Sequence, residues 1–413
     1  MWPQSKIIIL GLLCVVFCDA QAKQIPICQA CDISSLEIGL NMADSHDSLF
    51  LESEKYIVVN LEIRKPISIV GKEGTVFDGN KMGYIIKVLS DSVNISKVKL
   101  INSGKSYTKD YAAIYISNSR YFSVIGCKFE NPFFGMLVEK SHNGRILDNY
   151  LSGDAILESD AANGIHVWHC SNVYVANNEV SGMRDGIYFE FVSESLIEQN
   201  FSHDNIRYGL HFMFSNDDKY YDNEFRSNGA GVAVMFSKFI EMKRNIFTMN
   251  WGTASYGLLL KEIYDAEVEN NSFDQNTIGI FLEGSTRINY TNNNFLNNGW
   301  AVKVSGGRYK NIFSNNNFIS NALDVSYNSK MNDNSFNENY WSEYNGYDLD
   351  KNGIGDVPYR PVKLFSYIVS QTPESIVLLR SLFIDILNFS EKVSPIFTPD
   401  NLLDNSPAMA QYP

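Results

Sequence analysis

Short apolar segments recur along most of the chain with a period of about 22 residues. A small residue opens each segment, and the series reads Ala113, Gly135, Gly164, Gly186, Gly209, Gly231, Gly257, Gly279, Ala301 and Ala322. Apolar residues then alternate, as in Ile187, Phe189 and Phe191, which is typical of a strand with one face turned inward. Each unit can bury that face only against its neighbours, so the period predicts an all-β solenoid, a parallel β-helix with coils about 4.8 Å apart.

A polar series with the same period lies on the turn downstream. It reads Cys127, Asn149, Asn178, Gln199, Asn223, Asn245, Asn271, Asn293, Asn316 and Asn334. Each member stands two residues before an apolar anchor, such as Phe201, Phe225 or Phe336. Stacked amides can hydrogen-bond to one another and to adjacent backbone, so the series predicts an amide ladder. The coils Gly135–Gly164 and Gly231–Gly257 are longer than the rest, and insertions in solenoids often mark the working surface.

The two ends of the chain depart from the repeat. Residues 1–22 combine a basic start, an apolar run and a small-residue cleavage site, which predicts a signal peptide and export. Residues 23–80 predict an N-terminal cap, with a short helix in Ser34–Ala43, and the first coils; residues 81–345 predict the β-helix. For residues 346–413 we expect a loop, an amphipathic helix that begins near Thr372, and an extended tail. The apolar positions of that helix are Ile376, Leu379, Leu382, Phe383, Ile386 and Leu387.

The charge and the cysteines narrow the picture only partly. A net charge of −13 argues against nucleic acid as the main partner. Cys28 and Cys31 stand three residues apart in a chain that we expect to be exported. A disulfide, a thiolate metal clip and a redox pair all remain open for them.

The outward strand positions carry an unusual set of side chains across neighbouring coils. We call this set the outward stripe: His166, Trp168, Tyr188, Glu190, His211, Met213, Ala233, Met235, Leu259 and Lys261. Imidazole, thioether and carboxylate together suit copper, Cu(I) in particular. The candidate copper ligands are His166, Glu190, His211, Met213 and Met235. His166 lies two coils, roughly 10 Å, from His211, so it is the least suited to share one ion with the others.

Two other readings of polar and aromatic positions stay open. Trp168 and Tyr188 are typical of a protein-docking patch, which is the alternative for the whole outward stripe. A second cation site is suggested by oxygens at alternating positions followed by glycine, as in a calcium-binding loop. Its candidate ligands are Asp348, Asp350, Asn352 and Asp356. Tyr359 stands where such a loop has a bidentate Glu, and an Asx-rich turn is the alternative.

An exported β-helix also raises the possibility of an enzyme. Hydrolysis of a polysaccharide needs two carboxylates across a cleft, and Asp217-Asp218 is the one adjacent acidic pair near the middle of the repeat. It falls on a turn with no matching acid one coil away on the same face. A polysaccharide-binding or polysaccharide-cleaving β-helix is therefore the alternative to a non-enzymatic role.

Several long runs resemble the NosD family of periplasmic maturation proteins for nitrous oxide reductase. They are Arg184–Phe191, Arg207–Asp218, Asn228–Ser237, Asn339–Tyr347 and Asp356–Pro361. The resemblance implies a right-handed β-helix of the carbohydrate-binding and sugar-hydrolase type, without glycosidase activity, that helps supply copper to the copper–sulfur centre of the reductase in denitrification. It also implies partners: an ABC transporter with membrane subunit NosY and ATPase NosF, the copper lipoprotein NosL, and the reductase itself. We expect a non-enzymatic periplasmic protein, peripheral at the inner membrane, whose C-terminal helix contacts the transporter.

Overall fold

A computed structural model describes residues 22–306, 310–328, 333–393 and 402–413. The chain winds into a parallel β-helix whose coils contribute strands to three sheets of 14, 13 and 12 strands. Every strand of a sheet pairs in parallel with the equivalent strand of the next coil, and such crossovers are right-handed. The predicted fold class is therefore confirmed, while the predicted signal peptide, residues 1–22, lies outside the described residues except for Ala22.

The three sheets, here called A, B and C, are given in chain order. Sheet A contains Gln24–Ile27, Ser48–Leu51, Ser68–Gly71, Asn94–Ser96, Ser123–Ile125, Arg145–Leu147, Tyr174–Ala176, Leu196–Glu198, Lys219–Tyr221, Glu241–Lys243, Tyr264–Glu269, Thr286–Thr291, Ile312–Ser314 and Ser335–Asn337. Sheet B contains Lys55–Ile57, Val76–Asp78, Lys99–Ile101, Lys128–Glu130, Tyr150–Ser152, Glu179–Ser181, Phe201–His203, Glu224–Arg226, Ile246–Thr248, Ser272–Asp274, Asn294–Leu296, Asn317–Ile319 and Tyr340–Trp341. Sheet C contains Leu61–Ile63, Ile86–Val88, Ala112–Ser117, Phe134–Glu139, Asn163–Trp168, Asp185–Glu190, Tyr208–Met213, Ala230–Met235, Leu258–Lys261, Ile278–Glu283, Trp300–Ser305 and Leu323–Tyr327.

The core runs along the solenoid axis as rows of identical or similar side chains. In sheet B, Phe247 stacks on Phe273 with ring centroids 4.6 Å apart, and Phe295 stacks on Phe318 at 4.7 Å. The small-residue series has a steric cause, because a Cβ on Gly186 would lie 2.7 Å from the carbonyl oxygen of Gly209 in the next coil. The period seen in the sequence is thus set by close backbone contact as well as by apolar burial.

The predicted amide ladder is present on the turn between sheets A and B. Asn245 shows the pattern: its Nδ2 donates to Tyr220 O at 2.9 Å and to Asn271 Oδ1 at 3.0 Å, and its Oδ1 accepts from Asn223. Two members differ from the prediction. Asn200, not Gln199, bonds to Asn223, and Asn339, not Asn334, follows Asn316. A second amide ladder, which we did not predict, occupies the turn between sheets B and C and contains Asn205, Asn228, Asn250, Asn276, Asn298 and Asn321.

Because Gln199 and Asn334 were assigned wrongly, the anchors predicted from them, Phe201 and Phe336, are wrong as well. Ser202 is the buried residue of its coil, whereas Phe201 is half-buried on the outer side. Trp341 is the sheet B anchor of the last coil, and Phe336 belongs to sheet A. In each case an amide or an aromatic residue stands close by in the sequence, so the period alone assigned the wrong one.

A short helix packs at the N-terminal end of the solenoid. Helix α1 spans Leu36–Met42, inside the predicted range, and buries Leu36 and Leu40 against the first coils. Cys28 and Cys31 are joined by a disulfide. The first strand, Gln24–Ile27, pairs with Ser48–Leu51, so the solenoid begins almost at the first described residue.

The C-terminal end differs from the expected single helix. Helix α2 spans Leu364–Gln371, a 3₁₀ helix follows over Pro373–Leu378, and helix α3 spans Leu382–Val393. The predicted apolar face is only partly buried. Ile376, Leu379 and Leu387 pack against a cluster formed by Leu323, Phe365, Val369 and Ile384, whereas Leu382, Phe383 and Ile386 are exposed. Residues 402–413, predicted to be an extended tail, return to the solenoid and bridge Phe336 and Tyr340 in parallel. Asp404 closes the amide ladder there by accepting from Asn339 and Trp341.

Candidate functional site

The outward stripe divides into two rows along sheet C. His166, Tyr188, His211, Ala233 and Leu259 are register partners in successive coils and form the inner row. Trp168, Glu190, Met213, Met235 and Lys261 form the outer row. The inner row is largely covered, since His211 is 6% exposed, whereas the outer row is half-buried. The stripe is therefore not a uniformly solvated face.

Aromatic stacking fixes the rings of the inner row. The Tyr188 ring lies 4.6 Å from that of His166 and 4.5 Å from that of His211, and it is nearly parallel to the latter at 17°. Tyr208 contacts the His211 ring at 4.8 Å. Because Tyr188 stands between the two histidines, the structure does not bring His166 together with His211 at one centre.

The outer row places two thioethers side by side. Met213 and Met235 are register partners, which sets their Cα atoms about 4.8 Å apart across the coils. The Tyr188 hydroxyl donates to Met213 Sδ at 3.6 Å, and Glu190 is the register partner of Met213 in the preceding coil. Lys261 ends the row in an ion pair with Glu283 at 3.2 Å. His211, Met213, Met235 and Glu190 thus occupy adjacent positions, as the sequence predicted.

A cluster of charged residues beside the inner row was missed by the sequence analysis. Arg184 donates to Asn163 Oδ1 at 2.9 Å, and the Asp185 carboxylate lies 3.6 Å from Arg207 Nε and 3.6 Å from His211 Nδ1. We call Asn163, His166, Arg184, Asp185, Arg207 and His211 the buried polar cluster. A signal was present, because Arg184-Asp185 precedes the small residue of its coil and Arg207 stands two positions before the next one. Charged residues at the start of a buried strand need partners.

The buried polar cluster is unusual because many of its atoms lack a hydrogen bond. Both ring nitrogens of His166, both of His211, Asp185 Oδ1, Asn163 Nδ2 and Arg184 Nε are buried without a partner. Burial, together with the nearby Arg184 charge, lowers the pKa of His166 to about 4. Unsatisfied buried groups cost free energy and call for an explanation, and functional sites are where such groups concentrate.

The histidines and the carboxylate of the buried polar cluster cannot by themselves complete the coordination sphere of a metal ion. Among the residues the structure describes, no group of three or more His, Cys, Asp or Glu side chains is arranged to hold a metal ion. Cys127 and Cys170 are buried free thiols, and burial raises the pKa of each to about 12, so neither supplies a thiolate. The donor set that remains pairs an imidazole with two thioethers, which suits Cu(I) held with low coordination number.

A ridge of stacked rings borders the outer row at the next corner of the solenoid. Phe191 stacks on His169 at 4.6 Å and on Phe214 at 5.0 Å, and Phe214 stacks on Phe236 at 5.2 Å. All four residues have positive φ, from 51° to 54°, so the alternation of inward and outward side chains along the strand ends at these positions. Phe191, predicted to point inward, is therefore exposed instead, and the left-handed backbone is the reason.

The two long coils place their insertions on one corner, between sheets B and C. One insertion joins Tyr150–Ser152 to Asn163–Trp168, and the other joins Ile246–Thr248 to Leu258–Lys261. Four coil steps, about 19 Å, separate them. The central coils of the outward stripe lie between them, and Leu157 and Trp251 are exposed on the two loops. The insertions thus flank the candidate site, as expected of a working surface.

The predicted calcium loop has its oxygens engaged by its own backbone. Asp348 accepts from the amides of Asn352 and Gly353, and Asn352 Oδ1 accepts from Ile354 at 2.7 Å. Asp350 also accepts from the Asn352 amide, and Asp356 accepts from the Leu349 amide at 2.7 Å. These are the contacts of an Asx-rich turn, and calcium binding there stays a prediction.

The two residues of the acidic pair considered for hydrolysis, Asp217 and Asp218, lie in different environments. Asp218 is buried and accepts from the Ser195 amide at 2.8 Å, which joins equivalent turns of two adjacent coils. Burial raises its pKa well above the usual range. Asp217 is exposed and has a positive φ of 59°. The pair is thus accounted for by the turn.

Comparison with known families matches the central part of the chain to one group. Residues 148–346 match the family described as NosD, periplasmic copper-binding protein. A Pseudomonas aeruginosa protein named probable ABC transporter binding protein NosD is 27% identical over 400 residues, covering 85% of each chain. A Stutzerimonas stutzeri protein of the same name is 26% identical over 397 residues, covering 84% of this chain and 83% of that one. Both relatives are named as binding proteins.

Solved structures share the architecture at low sequence identity. A family 28 exopolygalacturonase of Yersinia enterocolitica superposes with a TM-score of 0.59 at 10% identity, covering 76% of this chain and 78% of that one. A mannuronic acid-specific family 6 polysaccharide lyase from human gut microbiota gives 0.57 at 10% identity, covering 77% and 86%. At this identity the likeness concerns the fold alone. None of the helices in the described ranges has the length and apolar character needed to cross a membrane.

Proposed function

The chain belongs to the NosD family, and on that premise we propose that it is a periplasmic, non-enzymatic accessory protein for nitrous oxide reductase that hands copper toward its copper–sulfur centre. In this proposal Cu(I) is cargo, held briefly and passed on. The acceptor is the reductase, and the copper lipoprotein NosL is the donor. The observation that carries the proposal is the thioether pair Met213 and Met235 beside His211, whose ring nitrogens make no hydrogen bond.

The donor chemistry supports transient binding. Thioether sulfur and neutral imidazole are ligands that favour Cu(I) over harder cations. His211 is buried, and Tyr188 and Tyr208 hold its ring. The methionines of the outer row are half-buried and open to a partner. Glu190 is a further candidate ligand, whereas His166 lies behind Tyr188 and would take part only in a second, separate step along the row.

The test is a competition titration of Cu(I) against a chromophoric chelator. The wild-type mature protein should bind Cu(I) stoichiometrically, and the variant His211→Ala/Met213→Ala/Met235→Ala should lose that binding. A matched control is His142→Ala/Met82→Ala/Met249→Ala, which removes the same side-chain types from exposed positions elsewhere. The control should bind as the wild type does. Equal binding by all three proteins, or no binding by the wild type, would contradict a copper site on the outward stripe.

The exposed face of α3 supports contact with a membrane transporter. Leu382 is 74% exposed and Val393 is 70% exposed, and Phe383, Ile386 and Phe389 between them are also exposed. Since α3 is anchored through Ile384 on the opposite side, this apolar face is presented outward at one end of the solenoid. We propose that it binds the transporter formed by NosY and NosF, and exposed apolar faces of this kind are typical of such contacts.

Replacing two residues of that face tests the transporter contact. The variant Phe383→Ser/Ile386→Ser should no longer co-purify with the detergent-solubilised transporter, while its unfolding midpoint in urea stays near the wild-type value because both side chains are exposed. Ile57→Ser, an exposed apolar residue at the other end of the chain, is the control and should keep the contact. Retention of the transporter by the double variant would place the contact elsewhere.

The geometry of the site gives little support to the alternative role in polysaccharide binding or cleavage. Sugar rings stack on exposed aromatic faces, but the Tyr188 ring has a histidine ring on either side. The stacked rings of the corner ridge likewise cover one another. A bound oligosaccharide would be needed to revive this alternative.

A further inference from the structure

We infer that Asp185 is a positioning residue, which holds the His211 imidazole with its proton on Nδ1 and thereby leaves Nε2 free as the copper ligand. The inference rests on the proposed function for the role of Nε2. The orientation of His211 by Asp185 stands on the geometry alone.

The carboxylate and the imidazole face each other within the buried polar cluster. Asp185 Oδ2 lies 3.6 Å from His211 Nδ1, and the two side chains are 2% and 8% exposed. The strands that carry them are neighbours in sheet C, with Asp185 the register partner of Tyr208. The distance is longer than a hydrogen bond, and neither His211 ring nitrogen has a hydrogen bond to another group. On the other side of the carboxylate, Arg207 Nε lies 3.6 Å from Oδ1.

The carboxylate can only accept, so it selects one tautomer of the neighbouring ring. With the proton on Nδ1 the pair is attractive, whereas an Nδ1 lone pair would face the negative oxygen. Metal-binding histidines commonly present their second ring nitrogen to a carboxylate, which fixes the ring and makes the ligating nitrogen more basic. Tyr188 and Tyr208 restrict the plane of the same ring, so Asp185 and the tyrosines together define its orientation.

The buried carboxylate otherwise has no evident purpose in the fold. A buried charge with no close hydrogen bond is costly, whereas a buried ladder amide such as Asn245 is hydrogen-bonded. A contact that shortens when His211 gains positive character on binding copper would explain why the two atoms lie 3.6 Å apart in the protein alone.

The test reads the tautomer without copper. Two-bond ¹⁵N–¹H correlation spectra of ¹⁵N-histidine-labelled protein at pH 8 report which ring nitrogen carries the proton, and His211→Gln assigns the signal. The wild type should show the Nδ1–H tautomer. In Asp185→Asn the side-chain amide can donate to Nδ1, so the Nε2–H tautomer should appear and Cu(I) affinity should fall at least tenfold. Asp222→Asn is the control, because Asp222 pairs with Arg244 at 2.7 Å and touches no histidine.

Each outcome decides the inference. The Nε2–H tautomer in the wild type, or an unchanged tautomer in Asp185→Asn, would overturn it. A switched tautomer with unchanged Cu(I) affinity would overturn the role toward copper, since Nε2 would then not be the ligand. If the wild type binds no Cu(I), the proposed function fails, while the spectra still decide whether Asp185 orients His211. Equal changes in Asp222→Asn would also count against it.

Discussion

Two sets of buried polar side chains in this solenoid differ in how completely they are hydrogen-bonded. The amide ladder between sheets A and B satisfies its members, and Asn245 alone takes part in five hydrogen bonds with Asn223, Asn271 and Tyr220. The buried polar cluster on the outer side of sheet C leaves most of its ring and carboxylate atoms without one. Asn163 and Asn245 are both 0% exposed, so burial does not distinguish the two regions.

The difference separates a structural device from a functional one. A satisfied buried amide stabilises the fold and specifies the coil register, because any slip breaks several bonds at once. An unsatisfied buried imidazole or carboxylate lowers the stability of the fold instead. Its lone pairs and charge remain available to bind a ligand. The contrast therefore supports a ligand role for the cluster, and the following predictions test it.

The largest effect is expected from breaking the ladder. Asn245→Ala should lower the free energy of unfolding by about 4 kcal/mol, because Tyr220 O and the Asn223 amide lose their partner and a cavity remains. Urea unfolding followed by circular dichroism measures it. Asn289→Ala, on the exposed side of its strand, is the control and should change stability by less than about 0.5 kcal/mol. A loss near that of the control would mean that the ladder does not stabilise the coils.

The second effect concerns pH and His166. Its pKa in the folded protein is about 4 against an ordinary value of 6.5, so the fold favours the neutral ring. Protonation of this ring therefore has no effect on the free energy of unfolding above pH 6.5. As the pH falls from 6.5 to 4, the free energy of unfolding decreases by about 3 kcal/mol. Arg184, Asp185 and His211 are the charged or titratable groups that act on this ring.

His166→Phe isolates that contribution. Phe can stack between Phe134 and Tyr188 without titrating, so the variant should be at least as stable as the wild type at pH 7.5 and more stable by an increasing margin down to pH 4.5. The carboxylates elsewhere titrate in both proteins and cancel in the difference. Parallel stability curves for the two proteins over this pH range would show that His166 is not buried as described.

The sequence predicted the ladder and the fold far better than it predicted the cluster. The ladder follows from a one-dimensional period, and its errors arose where a second candidate lay within a few residues, as with Gln199 beside Asn200. The cluster depends on side chains from three coils covering one another, which no single repeat reveals. The alternation identified His211, Met213 and Met235 because they share a strand face, but Asp185 and Arg207 stand before the alternating segment. The apolar face of helix α3 was predicted only in part for a related reason, because the sequence pattern does not tell which side of the helix will pack against Leu323.

The smallest effect is expected from the member of the cluster that most resembles a ladder residue. Asn163 is as buried as Asn245, but its amide makes one hydrogen bond, to Arg184 at 2.9 Å, and its Nδ2 has no partner. Asn163→Ala should therefore cost only about 1 kcal/mol in urea unfolding, against about 4 kcal/mol for Asn245→Ala. It should also free the Arg184 guanidinium, whose charge acts on the ring of His166. Equal losses of stability in the two variants would remove the distinction between the satisfied and the unsatisfied asparagine, and with it the argument that the cluster is built for a ligand.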